Sequence, residues 1–102
     1  RDWSVTGVQT CALPILLELV PAALAQRVQA QNPDLVVIGI GAGADVAGQV
    51  LVLHDMLGVT QGKLPRFVRN FMAEGGSIGD GLRRYVQAVK QRSFPDTTLH
   101  TY

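Results

Sequence analysis

The sequence predicts an α/β fold built on a parallel sheet, and three observations carry that prediction. A β-branched apolar run, Val36, Val37, Ile38 and Ile40, leads into glycines at alternate positions, Gly39, Gly41 and Gly43. Such a run suits a strand covered on both faces that opens into a tight turn. The periodicity also reads strand, helix, strand from Leu16 to Ile40, an order that makes a right-handed parallel crossover. Finally, the 102 residues are 47% hydrophobic and 17% charged, which is ordinary globular composition and enough for one small domain.

The elements follow in order. Leu16-Leu17-Glu18-Leu19-Val20 reads as the end of a buried strand, stopped by Pro21, which suits the first turn of a helix. Pro21 to Gln31 is amphipathic, with Leu24, Ala25 and Val28 expected inward and Gln26, Arg27 and Gln29 outward. Asn32-Pro33-Asp34 is a turn, and Leu35 to Ile40 is the second strand. Gln49 to Leu57 fits a helix by the spacing of Val50, Leu53 and Leu57, although Val50-Leu51-Val52-Leu53 also fits a strand. The helix is preferred because the preceding strand needs a cover. Gly58 then ends it as a left-handed cap.

Arg66 to Ala73 predicts a short helix with Phe67, Phe71 and either Val68 or Met72 on its apolar side. Ser77 and Asp80 have the spacing of an N-terminal capping pair. Leu82, Tyr85, Val86 and Val89 mark a final helix to about Arg92, weakened in its first turn by Gly79 and Gly81, at roughly 1 kcal/mol each against alanine. Ser93 to Tyr102 reads as a polar tail.

Charge and cysteine use narrow the function classes. The net charge is +1, and basic residues dominate only after Lys63. The aromatics are not interleaved with them, so a solvated helical face explains the charge better than nucleic acid does. No apolar run approaches the ~20 residues that span a bilayer. Cys11 is the single cysteine, too few for a disulfide framework or a zinc site, which leaves the reducing cytoplasm as the expected compartment.

Three constellations are candidates for chemistry. Glu18 lies at the carboxyl end of a parallel strand, where α/β folds place catalytic groups. Desolvation by Leu17, Leu19 and Val20 would raise its pKa and suit it to take a proton near neutral pH; a surface glutamate after a strand is the plain alternative. Gly39 to Ala44 matches the dinucleotide pattern G-x-G-x-x-A. Too few residues follow for the required helix, so a turn at a barrel rim, open to substrate, is preferred. His54 and Asp55 are adjacent on the expected helix and point about 100° apart, so they share no ligand easily. Lys63, Arg66 and Arg69 read as a solvated face or a subunit contact.

Taken together, Glu18-Leu-Val-Pro21, Val37-Ile-Gly-Ile-Gly-Ala-Gly43 and Gly48-Gln-Val-Leu-Val-Leu-His-Asp55 resemble the ketopantoate hydroxymethyltransferase family. The resemblance runs on through Phe67-Val-Arg-Asn-Phe71, Tyr85 and Phe94-Pro95. It implies a C-terminal fragment of a (β/α)8 TIM barrel: the last two strands, their helices and the C-terminal helices. It implies a homo-oligomer that transfers a hydroxymethyl group from 5,10-methylenetetrahydrofolate to 3-methyl-2-oxobutanoate for pantothenate synthesis. Glu18 would be the proton acceptor. Mg²⁺ on the keto-acid oxygens would take up the enolate charge, with its ligands upstream of this segment. Leu19 stands where many members carry cysteine. On this reading the isolated chain is inactive and poorly folded.

Two alternatives stay open. One is another Mg²⁺-dependent barrel lyase or aldolase acting on 2-oxo acids. The other is a non-catalytic helical interaction piece docking through Arg66 to Arg92. A second resemblance concerns the start of the chain. Val5 to Ile15, VTGVQTCALPI, is similar to the in-frame translation of a common sequencing-library adapter. Residues 1–15 are therefore expected to be non-native, with residues 16–102 forming part of one barrel domain.

Overall fold

A computed structural model describes residues 14–102. Trp3, Cys11 and most of the adapter-like segment lie outside the described residues. The elements are β1 (Pro14–Glu18), α1 (Ala22–Gln31), β2 (Val36–Ile40), β3 (Gly48–Gln49), α2 (Leu53–Met56) and α3 (Ile78–Lys90). The three strands form a parallel sheet in the order β1-β2-β3, with Glu18 opposite Ile40 and Gly39 opposite Gln49. The strand-helix-strand order read from the sequence is present, in a sheet of three described strands rather than two.

The extra strand corrects the reading of Gln49 to Leu57. Gly48 and Gln49 pair with β2, Val50 donates its N–H to the Gly39 carbonyl at 3.0 Å, and helix begins only at Leu53. A parallel crossover normally takes a dozen or more residues and a helix. Here residues 41–47 make it alone. Gly41 and Gly43 allow this with φ of 67° and 83°, in the left-handed region where a side chain is strained.

α1 covers one face of the sheet. Ala25, Val37, Ala42 and Val46 are buried there, with Ile15, Leu17, Val20 and Val28 packed around them. Because side chains alternate along a strand, Leu16, Glu18, Val36 and Ile38 point to the other face. Leu16 is 59% exposed and Val36 is 40% exposed. Leu24 is also exposed, contrary to its expected inward position. Pro21 precedes the helix as its N-cap rather than opening the first turn.

The second cluster joins Ile40, Leu51, Met56, Phe67, Phe71, Ala88 and Phe94. Phe71 meets Tyr85 and Phe94 edge-on at 5.4 and 5.3 Å between ring centres, a favoured aromatic geometry. Burial pushes the Tyr85 phenol pKa up, and its hydroxyl has no hydrogen-bond partner among the described residues. The expected helix over Arg66 to Ala73 is absent; the segment is a chain of turns held by Phe71 N–H on the Met56 carbonyl at 2.8 Å. Its aromatic pair is buried all the same, because a turn can point Phe67 and Phe71 inward as well as a helix can.

α3 begins as the sequence predicts. Ser77 and Asp80 form a complete capping box: the Asp80 N–H donates to Ser77 Oγ at 3.1 Å, and the Ser77 N–H to Asp80 Oδ2 at 3.0 Å. Gly81 is buried against Met72, whose side chain a Cβ there would strike. Ser93 to Tyr102 is not a free tail. Phe94 is only 3% exposed, and the Ala22 N–H reaches the Tyr102 carbonyl at 3.3 Å. Phe94, Pro95 and Thr101 are buried, so the segment lies back on the core.

Candidate functional site

The carboxyl ends of β1 and β2 place Glu18 beside the glycine turn. Glu18 is the last residue of β1 and lies in register with Ile40, the last residue of β2. Leu19 follows with φ of 56°, a strained value for a leucine, and its N–H donates to the Ile40 carbonyl at 2.9 Å. Backbone strain next to a candidate catalytic group is a recognised mark of function. Glu18 itself is exposed, so the apolar shell expected from Leu17, Leu19 and Val20 does not form around its carboxylate. Leu17 and Val20 turn toward α1 instead, and Leu19 is exposed.

The two positive-φ glycines of this turn, Gly41 and Gly43, pack within the chain. A Cβ on Gly41 would lie 3.1 Å from the Phe67 ring and 3.3 Å from Leu19 Cδ2. A Cβ on Gly43 would lie 2.6 Å from Ala22 Cβ, at the entry of α1. On those sides the turn is closed by protein rather than open to substrate.

The turn is also pinned by side chains. Gln49 Nε2 donates to the Gly43 carbonyl at 2.7 Å. Gln29 Oε1 accepts from the N–H groups of Val37 and Ala47, each at 3.1 Å, while its Nε2 donates to the Leu35 carbonyl at 2.7 Å. Arg92, itself at φ of 60°, donates to the Ala44 carbonyl. Gln29 was expected to face solvent. Its signal was present in the sequence: it lies four residues after Ala25, which α1 buries completely, and so shares the same stripe.

The remaining candidates separate. His54 is exposed, and Asp55 is engaged by Thr60, whose hydroxyl donates to it at 2.6 Å, so the pair does not act as a unit. Arg69 stacks over the Phe71 ring at 4.5 Å, while Arg66 donates to the Thr98 carbonyl at 3.5 Å and lies 5.8 Å from the Tyr102 ring centre. Arg66 therefore holds the C-terminal segment and Arg69 covers the Phe71 ring, so the two are not simply a solvated face. Among the described residues no three His, Cys, Asp or Glu side chains converge. No helix among them is long and apolar enough to cross a membrane.

Fold and site together define a class first: a parallel α/β protein with an acid and a glycine turn at the carboxyl ends of neighbouring strands. The family follows from comparison. The family model described as ketopantoate hydroxymethyltransferase matches residues 5–97. The chain is 67% identical over 91 residues to 3-methyl-2-oxobutanoate hydroxymethyltransferase 2 of Methylibium petroleiphilum, covering 89% of this chain and 33% of that protein. It is 60% identical over 98 residues to the enzyme of the same name from Leptothrix cholodnii, covering 92% of this chain and 34% of that protein. With the Marinobacter nauticus enzyme the identity is 63% over 88 residues, covering 86% of this chain and 33% of that protein. The chain belongs to the ketopantoate hydroxymethyltransferase family, and it spans about a third of the length of the curated relatives it matches.

Proposed function

We propose that the protein to which this chain contributes transfers a hydroxymethyl group from 5,10-methylenetetrahydrofolate to 3-methyl-2-oxobutanoate, giving 2-dehydropantoate, and that Glu18 is its general base. The observation that carries the reading is the position of Glu18, at the carboxyl end of a parallel strand and in register with the start of the glycine turn, in a chain of this family. Deprotonation next to a ketone needs a carboxylate held at that carbon, and a positioned base contributes about 10²–10⁴-fold. The exposed carboxylate lies on the side of the sheet that α1 does not cover, at the carboxyl end of its strand, where barrels place their active sites. Mg²⁺ and the remaining substrate contacts belong, on this reading, to the part of the family length that this chain does not span. On the same reading the protein is a homo-oligomer and its compartment is the cytoplasm.

The open sheet face supports the barrel reading. Leu16 and Val36 are apolar and uncovered, and β1 has a free outer edge among the described residues. Exposed apolar strands with free edges are unstable and prone to association. The isolated chain is therefore inactive on this reading. Residues 1–15 are read as adapter-derived, and an independent read of the DNA before the Leu16 codon tests that: a continuous frame without the VTGVQTCALPI run is the expected result.

The test of function uses a chimera in which residues 16–102 replace the matching third of the Methylibium petroleiphilum relative. The chimera is expected to carry out the transfer, and Glu18→Gln is expected to lower kcat by about 10²–10⁴-fold with assembly intact. Loss of assembly with normal turnover per assembled particle would favour an interaction role instead.

A further inference from the structure

We propose that Gln49 and Gln29 are positioning residues for the proton-transfer step, holding the glycine turn that sets the direction of Glu18. The inference rests on Glu18 being the base. The turn over residues 41–47 is the tightest connection in the sheet, and it carries no helix of its own to stiffen it. Its conformation is instead held by side chains: two amides, together with Arg92 on the Ala44 carbonyl. Gln49 grips the apex through the Gly43 carbonyl at 2.7 Å. Gln29 grips the exit through the Ala47 N–H at 3.1 Å, and its other bonds tie that exit to the entry of β2 at Leu35 and Val37.

The path from turn to base is short. Gly41 packs on Leu19 and Phe67, with Leu19 Cδ2 3.3 Å from the space a Cβ would fill. Leu19 is tied to Ile40, the residue before Gly41, by its N–H at 2.9 Å and is held at φ of 56°. Glu18 is the residue before Leu19, so the strained Leu19 backbone and the turn are fixed together. Letting the turn relax lets Leu19 leave the left-handed region and swings the Glu18 carboxylate. A misplacement of about 1 Å at a reacting centre lowers a rate by on the order of 10²-fold.

Both amides are assigned by their partners: Gln29 Oε1 faces two N–H groups, and Gln49 Nε2 faces a carbonyl. Gln49→Met keeps the length and removes the donor. Gln49→Glu removes the donor at neutral pH and regains an O–H when its carboxyl is protonated. A positioning role predicts different pH behaviour for the two variants.

The experiment follows exchange of solvent deuterium into C3 of 3-methyl-2-oxobutanoate by the chimera, without the folate. The carboxylate takes the C3 proton, the enolate forms, and a solvent deuteron returns to carbon, so no other reactant is consumed. Gln49→Met is expected to lower the exchange kcat by on the order of 10²-fold, with KM within about two-fold and circular dichroism unchanged. The deficit of Gln49→Glu, taken as a ratio to the unaltered chimera at each pH, is expected to shrink as pH falls, while that of Gln49→Met stays constant. Gln29→Met is expected to act in the same direction. Variants that exchange as fast as the unaltered chimera, or that slow only in proportion to lost folded protein, overturn the positioning role alone. An unaltered chimera that neither exchanges nor transfers overturns the reading of Glu18, and this inference with it.

Discussion

Leu19 and Gly41 share one packing site at the carboxyl ends of β1 and β2. Leu19 Cδ2 lies 3.3 Å from the point a Gly41 Cβ would occupy, and both residues hold positive φ, 56° and 67°. The strained leucine and the permissive glycine therefore fit only as a pair, with the Phe67 ring closing the third side at 3.1 Å. Gly43 repeats the arrangement against Ala22.

Gly43→Ala is expected to be the most damaging change in the turn. The new Cβ would sit 2.6 Å from Ala22 Cβ and 3.1 Å from its Cα, at φ of 83°. Left-handed backbone strain and overpacking together destabilise by about 2–4 kcal/mol. Thermal unfolding of the chimera would show it. A variant melting within a degree of the parent would mean that the turn has room to shift.

Phe94→Ala is expected to destabilise by about 3–5 kcal/mol, as deletion of a buried aromatic ring does. The ring is 3% exposed and contacts Phe71 edge-on at 5.3 Å. Denaturant titration of the chimera measures the loss, and a change below about 1 kcal/mol would show that the C-terminal segment is not anchored by this ring.

His100 makes the C-terminal segment sensitive to pH. The Asp96 N–H donates to His100 Nδ1 at 2.9 Å, which requires that nitrogen to be unprotonated. Burial holds the His100 pKa below its ordinary value of 6.5; nearby Asp96 raises it, and Arg69 lowers it further. A histidine depressed in the folded state binds more protons when unfolded. Its contribution is complete above about pH 6.5 and is lost as pH falls through the folded value. Stability of the chimera in urea at pH 7.5 and at pH 5 is expected to differ more than that of His100→Gln. Equal pH slopes would remove His100 from this role.

Ser77→Ala is expected to cost about 1 kcal/mol by leaving the Asp80 N–H uncapped. The Asp80 carboxyl is held below the usual carboxylate range chiefly by the Ser77 backbone N–H, then by the Arg83 and Ser77 side chains. A depressed acid stabilises above its unfolded pKa and loses that effect as pH falls through the folded value. The penalty of Ser77→Ala should therefore narrow in strong acid, as paired melts at neutral and acid pH would show. A penalty independent of pH would mean that the two halves of the box are not coupled.

The isolated chain is expected to lack both cooperative unfolding and turnover of 3-methyl-2-oxobutanoate with the folate donor. Leu16 at 59% exposed and the edge of β1, unpaired among the described residues, leave its sheet half-covered. Calorimetry and a turnover assay on the purified chain test this. A sharp transition together with activity would sink the fragment reading.

Much of this protein was legible in its residues because the signals are local. Hydrophobic run length and glycine spacing located β2 and the turn and placed the end of β1 two residues late, at Val20 rather than Glu18, and Ser77 with Asp80 marked the start of α3, since each of these depends on neighbours a few positions away. The family itself was legible in motifs from Glu18 to Phe94. The register that sets Glu18 opposite Ile40 came only with the tertiary structure. So did the two-residue strand Gly48–Gln49, the backbone partners of Gln29, and the return of Phe94 and His100 onto the core. Each of these is decided by a partner distant in sequence, and neither hydrophobic periodicity nor turn chemistry encodes which backbone carbonyl a glutamine will find once the chain has closed around it.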